Sequence, residues 1–160
     1  MEKILSIENS TDLADKLHQQ SKRIVLAGGC FDLLHIGHIT FIEEAKKHGD
    51  MLLILLESDQ TISESKGNNR PINSQDDRAK ILSALSSVDY VILLKPHMTD
   101  KEYDDLVIML KPAIIATTAG DISRHHKERQ AKLVGATVID VTMPVSDKST
   151  TKLVHLLEEL

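Results

Sequence analysis

Aromatic residues are scarce in this chain: two Phe, two Tyr and no Trp among 160 residues. Leu, Ile and Val must therefore fill the core, and little ring surface is left on which single-stranded bases could stack. Basic excess is missing as well. Nineteen Lys and Arg face 24 Asp and Glu, giving a net charge of −5, which argues against a nucleic-acid backbone as the main partner. One cysteine, Cys30, excludes an intrachain disulfide framework and fits a reducing compartment, so a cytoplasmic location is expected. The longest purely apolar run, Met51 to Leu56, is far too short to span a bilayer. Met1 to Ile7, with Glu2 beside Lys3, lacks the pattern of a secretory signal. The expectation is a compact cytoplasmic protein with neither nucleic acid nor membrane as partner.

What is present reads as one α/β domain. An apolar share of 41% and a charged share of 27% are ordinary for a globular protein large enough to bury a core. Ser10-Thr11-Asp12 reads as the cap of a helix reaching Gln20, so residues 1–21 form an N-terminal helical extension and 22–160 the main domain. Strands are expected at Arg23–Ala27, Asp50–Glu57, Val88–Leu94, Ala113–Thr117 and Thr137–Val141. Helices are expected between them, at Ile39–Lys47, Asp59–Ser65, Ser74–Ser86, Asp100–Leu110 and Ser123–Val134, with a last one from Ser149. Met51 to Leu56 shows no polar alternation, as in a central strand covered on both faces. The alternation of strand and helix predicts a doubly wound, Rossmann-like domain: a mainly parallel five-stranded sheet, helices on both faces, and ligands at the carboxyl ends of the strands.

At the end of the first of these strands lies the most informative stretch, Gly28-Gly29-Cys30-Phe31-Asp32-Leu33-Leu34-His35-Ile36-Gly37-His38. Gly28 and Gly29 let backbone approach a ligand and permit positive φ, and Gly37 leaves room between the two histidines. If the helix opens near His35, positions 35 and 38 share a face at its N-terminus, where free N–H groups and the helix dipole favour an anion. Two imidazoles there suit a phosphate that gains negative charge as it reacts. An i, i+3 pair with no adjacent Cys or third His makes a poor zinc site, so no protein-held metal is expected. Cys30 reads as a small buried residue rather than a nucleophile.

Three other stretches carry polar groups that a phosphate site would use. Lys66-Gly67-Asn68-Asn69-Arg70-Pro71 offers two cations on a flexible loop. Arg78 sits in the first turn of a helix, against the dipole, as if it had an anionic partner. Ser149-Thr150-Thr151, beside Lys148 at a helix start, would cradle the β- and γ-phosphates. His125-His126 is the one other histidine pair, and the remaining histidines read as surface residues.

In this order, these features resemble the cytidylyltransferase-like nucleotidyltransferases. From about Lys22 to Leu160 the chain is most similar to the nucleotidyltransferase half of the bifunctional enzyme that makes ADP-heptose, and it is also similar to glycerol-3-phosphate cytidylyltransferase. The resemblance implies Mg²⁺-dependent transfer of a nucleotidyl group from a nucleoside triphosphate, ATP favoured, to a phosphorylated acceptor such as a heptose 1-phosphate, with release of pyrophosphate. CTP with glycerol 3-phosphate is the alternative, and a nucleotide-binding regulator without turnover is a third reading. The catalytic set it implies is His35, His38, Lys66 and Arg78. The nucleotide would be bound by Gly28, Gly29, Cys30, Phe31, Asp32, Gly37, Arg70, Gly120, Asp121, Ser149, Thr150 and Thr151, in a homodimer. One departure stands out. The heptose enzymes carry Lys-Gly-Gly-Asp after the fourth of these strands, where this chain reads Ala116-Thr117-Thr118-Ala119-Gly120-Asp121, without the lysine and one glycine. Base and acceptor choice stay open on that account. The segment Met143-Pro144-Val145-Ser146-Asp147 likewise lacks an arginine that the glycerol-phosphate enzymes place near their proline.

Overall fold

The computed structural model describes residues 2–144 and 150–158. In chain order it contains β1 (Ile4–Ser6), α1 (Ile7–Gln19), β2 (Ile24–Gly29), α2 (Ile36–Lys46), β3 (Met51–Leu56), α3 (Asp59–Lys66) and α4 (Gln75–Ser83). These are followed by β4 (Tyr90–Leu93), α5 (Asp100–Leu110), β5 (Ile114–Thr118), α6 (Arg124–Val134), β6 (Thr137–Thr142) and α7 (Thr150–Glu158). The strands form one sheet in the order β1-β4-β3-β2-β5-β6, every neighbouring pair parallel. The sheet therefore has six strands, one more than the pattern of the sequence predicts. The extra strand, β1, pairs Ile4–Ser6 with Val91–Leu93. Three residues next to Glu2 and Lys3 are too few to show a period of two, so only the tertiary pairing reveals them.

Helix α1 also opens one turn earlier than expected. Its cap is Ser6, whose side chain accepts from the Asn9 N–H, while Ser10 lies inside the helix, fully buried, donating its Oγ–H to the Ile7 carbonyl. Elsewhere the ends follow local chemistry. Thr99 and Glu102 form a reciprocal capping box on α5, and Gly135 closes α6 in the left-handed region that a residue without Cβ adopts freely.

The uninterrupted apolar run of β3 has a direct explanation. Leu53 and Leu55 pack on one face of the sheet with Leu13 and Leu17 of α1, Leu106 and Leu110 of α5 and Ala131 of α6. Leu52, Ile54 and Leu56 pack on the other face with Ile42 and Ala45 of α2 and Ala79 and Leu82 of α4. A strand between two helical layers has no wet face, so it shows no alternation. The chain leaves β2 toward β3 and β4 on one side and returns to β5 on the other, which places the topological switch point beside the carboxyl end of β2. There the strands part early: β2 pairs with β3 through all of Ile24–Gly29, but with β5 only at Val25 and Leu26.

Candidate active site

Beyond Gly29 the chain turns sharply. Gly28 and Gly29 remain in β2 and neither has a positive φ; the residue that takes the left-handed conformation is Phe31, at φ 46°. The conformational freedom expected of the glycines is thus not used, and at Gly29 the value lies in the missing side chain. A Cβ on Gly29 would lie 3.0 Å from the Phe31 ring, which is buried against this turn. Phe31 in turn lies with its ring centroid 5.4 Å from that of His38.

Helix α2 starts at Ile36 with His35 as its cap, so the two histidines share the opening turn. Each uses Nδ1 to satisfy a backbone N–H that the helix start leaves free: Gly37 N–H donates to His35 Nδ1 at 3.1 Å, and His35 N–H to His38 Nδ1 at 3.4 Å. With Nδ1 accepting on both rings, these hydrogen bonds assign the proton of each neutral imidazole to Nε2. The ring centroids are 3.9 Å apart. Burial lowers both pKa values. In His38 burial leads, the neighbouring His35 and Lys66 add to it, and the value falls to about 4. At neutral pH the pair is uncharged and presents two N–H donors.

This pair lines a cavity of about 410 Å³ bounded by Gly28 and Gly29, by Thr118 to Asp121 after β5, and by Thr142 to Pro144 after β6. That size is typical of small-molecule sites. A second cavity of about 390 Å³ lies across the sheet, between the carboxyl ends of the strands and α5 and α6. It shares Gly28, Gly29 and Cys30 with the first. In it the Tyr103 hydroxyl donates to both Glu57 carboxylate oxygens at 3.0 and 2.9 Å; burial raises the Glu57 pKa, against the opposing pull of that hydrogen bond. Cys30 sits half-buried on the shared rim, its thiol pKa also pushed up by burial. A third cavity, about 270 Å³, gathers Lys66, Gly67, Arg70, Thr151 and His155.

The other expected residues divide in two. Lys66 ends α3 exposed, and Arg70 and Thr151 meet it in the third cavity. Gly120, at φ 75°, and Asp121 form the turn that borders the first cavity. Thr150 opens α7, whereas Ser149 lies outside the described residues, as do Val145 to Asp147. Asp32 and Arg78, by contrast, face inward. Asp32 accepts from the Ile72 and Asn73 N–H groups and from Arg70 Nε at 2.7 Å, and so straps the 70–73 loop to the turn after β2. Burial alone would raise the Asp32 pKa, but these donors outweigh it and hold the carboxyl below its ordinary range.

Arg78 departs most from the sequence-based expectation. It is fully buried, and its guanidinium donates to the carbonyls of Cys30, Glu57 and Asn73 and to the Asp59 carboxylate at 2.7 Å. The anion that its place in the first turn called for is a side chain of the protein. Arg78 therefore joins the turns after β2 and β3 rather than lining any of the three cavities. Two features had no local signal in the sequence: the Glu57–Tyr103 contact, joined across 46 positions, and Lys127, one basic residue in the charged run Arg124–Arg129.

The neutral histidine pair has a consequence for acid stability. An unfolded histidine protonates near 6.5, whereas folded His38 does so only near 4. Between those values the unfolded chain binds the proton and the folded chain does not, so stability should fall as pH drops through that window. Urea midpoints of the wild type and His38→Gln, measured from pH 7 to pH 4.5, should converge as the pH falls. Parallel curves would show that His38 is not held neutral.

Comparison with known proteins agrees with this layout. Residues 26–156 match the family model described as Cytidylyltransferase-like. Over 159 residues the chain is 37% identical to the bifunctional protein HldE of Aliarcobacter butzleri, and over 154 residues 36% identical to that of Campylobacter fetus. These alignments cover 98% and 93% of this chain but only 31% of each relative, so it spans about a third of their length. Among solved structures, a lipopolysaccharide core biosynthesis protein from Thermoplasma volcanium is 31% identical, with a TM-score of 0.62, covering 79% of this chain and 99% of that one. Pantoate-beta-alanine ligase from Francisella tularensis, at 15% identity and the same TM-score over 99% of this chain and 79% of that one, shares the fold.

Proposed function

The chain belongs to the cytidylyltransferase-like family of nucleotidyltransferases, and from that premise we propose that it transfers a nucleotidyl group, from ATP by preference, to a sugar 1-phosphate of the heptose type. The observation that carries the reading is the neutral histidine pair capping α2 at the wall of the first cavity. Two Nε2 donors beside a helix N-terminus provide what the α-phosphate of a triphosphate needs as its charge grows. The base and ribose lie in the first cavity, and the acceptor reaches the shared rim from the second. A phosphate oxygen of the acceptor attacks the α-phosphorus; that O–P bond forms while the bond to the β-phosphate oxygen breaks, and pyrophosphate leaves with the electron pair. The attacking oxygen is already ionised, so no general base is needed.

The third cavity suits the departing pyrophosphate. Arg70, 7% exposed, lines it together with Lys66 and Thr151, so that two cations and a hydroxyl border the space a phosphate would take. For Mg²⁺, the residues fit a cation delivered on the phosphates. Both Asp32 oxygens are engaged, and among the described residues no three carboxylate, His or Cys side chains gather to hold a metal. When bound, Mg²⁺ would neutralise charge on the triphosphate while keeping several waters.

The names of the relatives support a sugar phosphate over a phosphoalcohol, since one is a lipopolysaccharide core biosynthesis protein. The test is pyrophosphate release with Mg²⁺, offering ATP and CTP each with heptose 1-phosphate and glycerol 3-phosphate. Release that requires ATP and heptose 1-phosphate is expected. Release with CTP and glycerol 3-phosphate alone would overturn the substrate assignment, and no release in any pairing would overturn the reaction.

A further inference from the structure

We infer that Lys127 of α6 is a catalytic residue, the cation that holds the acceptor's phosphate against the α-phosphate of the nucleotide. The inference rests on the proposed reaction and adds to it a residue at the reacting centre. Among the described residues, Lys127 is the only Lys or Arg that lines the first cavity, and the only one that lines the second. The two anionic substrates must meet where these cavities join, and their like charges repel there. The histidines supply no positive charge, because both are held neutral by burial; Lys66 approaches from the side of His38 and Cys30, and Lys127 is the cation on the opposite wall.

The position of Lys127 is built rather than incidental. Its ammonium donates to Thr117 Oγ1 at 2.9 Å and to Asp121 Oδ2 at 2.5 Å, which leaves one of its three N–H groups for a ligand. Asp121 is fixed in turn: its other oxygen accepts from the Ser123 N–H and hydroxyl, and Thr117 Oγ1 donates to Oδ2 at 2.8 Å. Burial would raise the Asp121 pKa, but the Lys127, Ser123 and Thr117 hydrogen bonds prevail and keep the carboxylate charged. The register between β5 and β6 shifts at this point, Thr117 pairing with Asp140 and Thr118 with Thr142, so that the extra residue, Val141, lies on β6 beside the end of β5. The chain thus brings an ammonium from α6 to the end of β5, where its own strand offers only threonines.

The experiment compares wild type, Lys127→Met and Lys127→Ala in pyrophosphate release, with triphosphate affinity measured separately by calorimetry. Lys127→Met keeps the length of the side chain and removes its charge. Its kcat/KM for the acceptor should fall by about 10²-fold, while triphosphate affinity changes less than about tenfold. Ethylammonium added to Lys127→Ala should restore part of the rate, and ethanol should not; a lysine that only braced the Asp121 turn would instead show, in Lys127→Met, triphosphate affinity and acceptor kcat/KM falling together. Lys127→Met turning over within about threefold of wild type, or equal rescue by ethanol, would overturn the assignment. Wild-type protein without turnover would instead count against the reaction itself, and so against both readings.

Discussion

Replacing His38 with alanine should lower turnover by about 10²- to 10³-fold, the usual cost of removing one donor from a developing oxyanion. Two losses combine. The Nε2 donor disappears, and so does the Nδ1 acceptor that holds the His35 N–H at the start of α2. His38→Asn separates them, because its amide can still accept from that N–H while reaching less far into the cavity. It should recover helix stability but little of the rate. Steady-state turnover with saturating triphosphate, together with a thermal melt of each variant, checks both parts. A His38→Ala protein with near-normal turnover would remove the histidine pair from the mechanism.

Arg78→Met should have the largest effect on folding, about 3–5 kcal/mol of lost stability. The methionine fills much of the volume but donates nothing, so the buried carbonyls of Cys30, Glu57 and Asn73 lose their partner at once. Arg78→Lys should restore only part of this, since one ammonium on a flexible stem does not reproduce a planar fork aimed at four acceptors. Urea denaturation of the three proteins gives the values. Triphosphate affinity of correctly folded Arg78→Lys should stay within about tenfold of wild type. A thousandfold loss of affinity at unchanged stability would return Arg78 to the phosphate site. The same substitution thus separates an arginine that binds substrate from one that holds the turns around it.

How much of this was legible in the sequence depends on the range over which each signal acts. Helix α5 follows from a capping box and an apolar stripe within eleven residues, and β3 from six unbroken apolar positions. The histidine pair was legible because one helical turn suffices to bring positions 35 and 38 together. Strand β1 was not, since three residues carry no periodicity and its partner lies beyond residue 90. Arg78 was misread for a related reason. Its charge was visible, but its partners come from residues 30, 57, 59 and 73, and only the closed sheet brings those together. Lys127 stood in a run of charges that looks like any solvated helix face. Local chemistry can be read from spacing, whereas a cation donated across two elements cannot.

The early parting of β2 from β5 has a further consequence. Their ladder stops at Leu26, so the main chain of Ala27 to Gly29 runs on beside a gap where a sheet would ordinarily continue. Backbone groups that face such a gap need partners from outside the sheet. A ligand lodged there takes the place of the missing strand and closes the seam between the two halves of the sheet. On the proposed function, occupancy of the site and rigidity of the middle of the domain become a single variable, with the bound nucleotide standing in for part of the architecture.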